Sequence, residues 1–133
     1  MCCKPLWVMI VLVALVSCGN NKARLLTRTW KINDLKYSQE IPESMKPTIQ
    51  AEIDRLRAGY SITYFADNTY KAVNEGASTT GKWQLNYNGT KIITTGPDGN
   101  TVEYQILELT DKRFSFSAVI GGQKVIFEFV PSP

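Results

Sequence analysis

Between residues 59 and 130 apolar and polar side chains alternate with a period of two, in seven short runs. The runs are 59–65, 69–74, 81–87, 91–95, 101–107, 113–119 and 124–130. Turn-forming residues separate them: Ala66-Asp67-Asn68, Glu75-Gly76-Ala77-Ser78, Asn88-Gly89, Gly96-Pro97-Asp98-Gly99-Asn100, Thr110-Asp111-Lys112 and Gly121-Gly122. Asn-Gly and Gly-Gly supply the positive φ angles of two-residue hairpin turns, and Pro-Asp-Gly presets a tight turn. None of these connections is long enough to hold a crossover helix. Consecutive strands are therefore expected to pair antiparallel, as a meander.

Upstream, Thr29-Trp30-Lys31-Ile32 alternates in the same way and predicts a first strand reaching about Tyr37. The period then changes. From Pro47 to Ala58, Ile49, Ile53 and Leu56 fall at i, i+4 and i+7, one apolar stripe on a helix. Pro47 suits the first helical position and Gly59 the residue just past the end. This is the only helix predicted after the leading segment, and its one-sided stripe must pack on the strand assembly, over an edge or across an end. The strands share an expected inner face of Tyr60, Ile62, Tyr64, Tyr70, Ala72, Trp83, Leu85, Tyr87, Val102, Tyr104, Ile106, Phe114, Phe116, Ala118, Val125, Phe127 and Phe129. Ser61, Thr63, Lys71, Lys82, Gln84, Glu103, Gln105, Ser115, Ser117, Lys124 and Glu128 stand opposite. A sheet wet on one face and apolar on the other is antiparallel, and eight such strands bury the apolar face best by closing. The expected fold is all-β: an eight-stranded antiparallel up-and-down barrel with one helix between strands 1 and 2. An open, flattened half-barrel with the helix on its mouth is the alternative.

The first residues do not fit this pattern. Lys4 precedes an apolar run from Leu6 to Val16, too short for the roughly 20 residues that span a bilayer. A basic residue, a short apolar core and small residues before a cleavage point read as a secretory signal. At Leu15-Val16-Ser17-Cys18 the chain resembles the lipobox of bacterial lipoproteins. That resemblance implies a signal peptide over 1–17, cleavage before Cys18, and acylation (palmitate or a similar chain) of the Cys18 sulfur and the new amino terminus. Two or more acyl chains anchor a protein stably where one does not. Residues 18–28 would be lipidated Cys and tether, and 29–133 the barrel domain. The expected location is the cell envelope, with the outer membrane favoured because Gly19, not Asp, follows the cysteine.

Composition narrows the chemistry. The sequence has 3 cysteines and no histidine. Cys2 and Cys3 would leave with the signal and Cys18 would carry lipid, so no thiol remains for a disulfide, a thiolate metal site or a nucleophile. Without imidazole the commonest general base is missing. Glu103 and Glu128 fall on the expected outer face, while Asp67, Asp98 and Asp111 sit in turns where backbone geometry explains them. Neither a phosphate-binding glycine loop nor a calcium loop is present. Removing Lys4 from the 15 Lys and Arg leaves 14 basic against 12 acidic residues, with no clustered basic footprint for nucleic acid. Asn88-Gly89-Thr90 fits a glycosylation acceptor, but the hairpin turn already explains it. The expectation is a non-enzyme with no cofactor and no metal.

The order of elements then carries a resemblance: lipobox, a Thr29-Trp30-Lys31-Ile32 strand, the Ile49-Ile53-Leu56 helix, Ile62-Thr63-Tyr64-Phe65-Ala66-Asp67-Asn68-Thr69-Tyr70, and Gly81-Lys82-Trp83-Gln84-Leu85. It resembles the lipocalin-like lipoproteins common in Bacteroidetes. One departure is that Arg28 stands where lipocalins carry a glycine, two residues before the first-strand Trp. The resemblance implies an eight-stranded barrel and, by analogy, a small hydrophobic ligand. The inward tyrosines suit such a site, since ligand cavities are apolar with a few placed polar groups. Tyr60, Tyr64, Tyr70, Trp83, Tyr104 and Phe116 are the lining residues expected. A barrel this small can equally be packed solid, with the tyrosine hydroxyls in water or on backbone. The chain would then be a protein-interaction module, an inhibitor or an envelope scaffold.

Overall fold

The computed structural model describes residues 21–133. The expected signal segment 1–17 and Cys18 lie outside the described residues. Eight strands follow one another: β1 (Thr29–Tyr37), β2 (Tyr60–Tyr64), β3 (Thr69–Asn74), β4 (Ala77–Leu85), β5 (Lys91–Thr95), β6 (Thr101–Leu109), β7 (Phe114–Ile120) and β8 (Gln123–Pro131). Each pairs antiparallel with the next, and β8 returns to β1, so the sheet is a closed barrel and not the open half-barrel. The closing seam runs from Trp30↔Pro131 to Tyr37↔Val125 and carries a bulge between Ile32 and Asp34. That bulge matters for the interior. Strict alternation from Trp30 would aim Asp34 inward; the extra residue puts Leu35 there instead, and the Asp34 carboxylate accepts the Leu35 N–H at 2.9 Å.

One end of the barrel is shut by the chain's own entry. Residues 21–26 are helical, where the sequence suggested only a polar tether. Leu26 is completely buried, and its carbonyl accepts a 3.1 Å hydrogen bond from the Trp30 indole N–H. Lys22 Nζ donates to the Gly89 carbonyl in the β4–β5 turn at 3.1 Å, which fixes this segment to the same end. Arg28, in the place of the expected glycine, lays its guanidinium 5.2 Å from the centre of the Trp30 ring and donates to the Asp111 carbonyl at 2.8 Å.

The helix α1 (Lys46–Gly59), entered through a 3-10 turn at Glu43–Met45, lies across the opposite end. Ile53 is buried in the core, with Ile49 and Leu56 packed beside it, so the apolar stripe faces the barrel as the periodicity required. It touches β1, β2 and β3. Its C-terminus is tied down twice: the Gly59 carbonyl accepts the Glu75 N–H at 3.0 Å, and Arg55 Nε lies 3.4 Å from the Glu75 carboxylate. Because the barrel closes on itself, the helix covers part of an end. Among the described residues no helix is long and apolar enough to cross a membrane.

Three local expectations are corrected. Tyr87 does not point inward: β4 ends at Leu85, and Tyr87 is fully exposed in the following turn. The Asn86 side chain accepts the N–H groups of Thr90 and Lys91, both at 2.9 Å, and so starts the turn one residue before Tyr87. Val102 keeps its inward register opposite Thr94 but is 45 % exposed, because it lies near the open end. Ser115 and Ser117 stand on the outer face yet are buried: each is short and sits between longer cross-strand partners, Glu108 and Glu128 for one, Gln105 and Ile126 for the other. The β3–β4 connection is also tighter than expected. Glu75 and Gly76 both adopt positive φ (53° and 86°), making a two-residue turn, and β4 starts at Ala77.

Candidate ligand site

The barrel interior has two unlike halves. Toward the closed end Leu26, Trp30, Tyr64, Trp83, Ile92, Phe114 and Phe129 are all buried and form a continuous floor. Phe114 is its centre, 5.4 Å from the rings of both Trp30 and Phe129 and 6.1 Å from Tyr64. The Trp83 ring meets Tyr64 edge-on at 5.4 Å and its N–H donates to the Phe65 carbonyl at 3.0 Å. Every polar atom of the two tryptophans is thus satisfied within the floor.

Toward the helix end the register still points side chains inward, yet these are only half-buried: Tyr60, Tyr70, Ala72, Tyr104, Ile106, Ala118 and Phe127. Inward position with partial exposure means that solvent enters this half. The opening has a structural cause. β5 pairs with β4 only from Lys82 to Leu85, so the upper part of β4, Ala77 to Gly81, has β3 alone as a neighbour. The helix covers the β1–β3 side and leaves the β4–β6 side uncovered.

Four phenols converge where the two halves meet. Burial pushes Tyr60 up to about 12, with Tyr104 and Tyr70 adding repulsion against a phenolate. Tyr64 is raised well above the ordinary tyrosine value by burial first, then by Tyr60, Tyr104 and Tyr70. Tyr70 is raised by burial, Tyr104 and Asp98. All three shifted phenols are therefore neutral hydrogen-bond donors at physiological pH. Among the described residues no hydrogen bond reaches any of these hydroxyls. Tyr64 is only 2 % exposed, and no side-chain oxygen or nitrogen is both sealed from solvent and unpaired. The small area that Tyr64 presents to solvent therefore includes its hydroxyl.

The six residues singled out from sequence divide accordingly. Tyr60, Tyr64, Tyr70 and Tyr104 come together, and Phe116 forms a wall with its ring 4.6 Å from Tyr104. Trp83 belongs to the floor beneath Tyr64. The wall also contains Phe127, 5.1 Å from Phe116, which was legible as an inward position but not as a site residue. Gly81 is another contributor without a sequence signal of its own: a Cβ there would press against the Thr95 carbonyl oxygen and lie 2.7 Å from the Tyr70 ring, so its bare backbone is what lets both approach β4. The inward positions of β2–β8 carry no Asp, Glu, Lys or Arg. Nor do three potential metal ligands come together among the described residues.

A model of the lipocalin-like domain matches residues 26–116. The chain belongs to the lipocalin-like domain family. A solved structure of a DUF4847 family protein from Bacteroides vulgatus ATCC 8482 superimposes with a TM-score of 0.54 at 18% identity, covering 82% of this chain and 95% of that one. At that identity the likeness speaks for the barrel alone. A search of curated proteins finds no match. The lipocalin-like match begins at Leu26, the buried residue at the closed end.

Proposed function

We propose that this protein is a lipid-anchored cell-envelope carrier that holds a small hydrophobic molecule in the helix-proximal half of its barrel and performs no chemistry on it. The reading rests chiefly on Tyr60, Tyr70 and Tyr104, whose register points them into the barrel although they are only half-buried, so that solvent reaches this half of the interior. The non-catalytic part rests on the interior chemistry: phenols and hydroxyls surround the space, and no carboxylate, amine or imidazole faces it to act as a base near neutrality. Acylation of Cys18 follows from the lipobox resemblance. Residue 21 enters at the closed end, beside the β4–β5 turn, so an anchor at Cys18 turns the open half away from the bilayer that holds it.

A second reading has its own observation. Val119 and Ile120, at the tip of the β7–β8 hairpin, are 75 % and 55 % exposed, an apolar tip that a partner protein could cover. Native mass spectrometry of protein taken from its own cells separates the two. A small-molecule adduct that leaves on collisional activation supports the carrier. Bare protein mass in every preparation, or a co-purifying polypeptide, supports the partner.

A further inference from the structure

Resting on the anchoring half of that reading and on no ligand, we infer that the closed end of the barrel is a docking face for an anionic bilayer surface. The two ends differ in charge. At the closed end the entry segment 21–28 and the turns 65–68, 86–90 and 110–113 carry Lys22, Arg24, Arg28, Lys112 and Arg113 against Asp67 and Asp111. At the helix end the segment 38–59 and the turns 75–76, 96–100 and 121–122 carry Glu40, Glu43, Glu52, Asp54, Glu75 and Asp98 against Lys46, Arg55 and Arg57. Lys46 and Arg55 have carboxylate partners. Among the described residues none of the five closed-end cations is in a salt bridge.

The closed-end groups share one surface, because the entry segment ties its three turns together. Lys22 Nζ donates to the Gly89 carbonyl, the Arg28 carbonyl accepts the Tyr64 N–H at 3.2 Å, and the Arg28 guanidinium reaches the Asp111 carbonyl. Two aromatic rings stand out from it: Tyr87, fully exposed, and Phe65, 43 % exposed. Both are carried on fixed turns, one held by the Asn86 side chain and the other by the Trp83 indole N–H on the Phe65 carbonyl. Exposed aromatic rings among Lys and Arg are the composition that settles at headgroup level. The occupant follows from where the described chain begins. Cys18 lies three residues before Asn21, so at about 3.5 Å per residue an acyl anchor there holds this end within about 11 Å of the membrane. That is close to the screening length of about 8 Å over which basic side chains feel anionic lipid. The acidic helix end is repelled by the same surface, so the charges fix the orientation that a tether alone would leave free.

The test uses the acylated full chain reconstituted into phosphatidylcholine vesicles with and without phosphatidylglycerol. A nitroxide is placed by Asn88→Cys beside Tyr87 or by Val119→Cys at the opposite end, and its collisions with oxygen and with a water-soluble nickel chelate are measured. On anionic vesicles the Asn88 label should be shielded from nickel and open to oxygen, while the Val119 label behaves as in water. Lys112→Gln should lower the docked-to-undocked ratio by about fivefold, the worth of one cation at an anionic surface. Lys112 uses only its backbone N–H in the fold, so the variant should fold; Arg113→Gln repeats the comparison. Equal nickel access at both labels on vesicles that hold the protein, or equal shielding at Asn88 on pure phosphatidylcholine, overturns the docking face and leaves anchoring intact. Shielding at Asn88 that grows with protein concentration in detergent gives the face to a second copy and overturns it too. Protein that floats with neither vesicle overturns both readings.

Discussion

Phe114 is the residue on which the floor turns, and its truncation separates a packed half-barrel from a hollow one. It is wholly buried, with the rings of Trp30, Phe129 and Phe116 at 5.4, 5.4 and 5.5 Å. Phe114→Ala removes roughly 100 Å³ of side chain. At about 24 cal/mol per Å³ the void alone costs on the order of 2.4 kcal/mol if the surrounding rings hold their places. Lost transfer free energy of about 2 kcal/mol brings the total to roughly 4–5 kcal/mol, the upper part of the range for Phe→Ala in cores. Against a domain stability of about 5–15 kcal/mol, that leaves the variant marginal. Phe127→Ala deletes the same atoms from the half-buried upper wall. Solvent already enters there, so no dry void forms and the cost should be nearer 1–2 kcal/mol. Urea unfolding followed by tryptophan fluorescence reads the difference. With a slope of about 1–3 kcal/mol/M, the Phe114 variant should melt at a midpoint lower than the Phe127 variant by about 1–2 M. Equal midpoints, or a milder effect at Phe114, would show that the interior is not divided as described.

Trp83→Phe removes the 3.0 Å bond to the Phe65 carbonyl and should destabilise by about 1–2 kcal/mol in the same assay. Gly81→Val drives a side chain against the Thr95 carbonyl and the Tyr70 ring, and about 1–3 kcal/mol of stability should be lost in the same assay. Raising pH should destabilise the fold in a defined window. The Tyr60 phenol ionises near 10 when unfolded and at about 12 when folded, so its contribution is intact below pH 10 and lost as pH climbs toward 12. Absorbance at about 295 nm should show at least one tyrosine still protonated at pH 11 in the folded protein and none after unfolding. Cys18→Ser should abolish incorporation of labelled palmitate in cells and release the protein from the membrane fraction; retention of label would refute anchoring at that residue.

The barrel itself was readable because the pleat has a period of two and nearly every strand obeys it. Phe114, Phe116, Phe127 and Phe129 all face inward, as their spacing required. Reading failed where a local device broke that period. Asn86, bonding two N–H groups ahead of it, ended β4 early and threw Tyr87 into solvent. The Ser78-Thr79-Thr80 segment has no apolar member, so its membership in β4 could be set only by pairing with β3. Leu26 looked like tether because a single buried leucine leaves no periodicity to detect. Within the site, parity identified Tyr60, Tyr64, Tyr70 and Tyr104 as inward but could not say that Tyr64 would be buried and the other three half-buried. Nor could it place Trp83 beneath them. Both facts depend on where along the barrel axis each register pair falls, and that was fixed by turn lengths and bulges.

Water contact at individual rings in solution tests the central claim most directly. In protein carrying ε-¹³C-labelled tyrosine and phenylalanine, rotating-frame Overhauser transfer from water should reach the Hε protons of Tyr60, Tyr64 and Tyr104 and bypass Phe114. Absence of transfer to Tyr64, or transfer to Phe114 of equal strength, would contradict a wet, phenol-lined chamber above a dry aromatic floor.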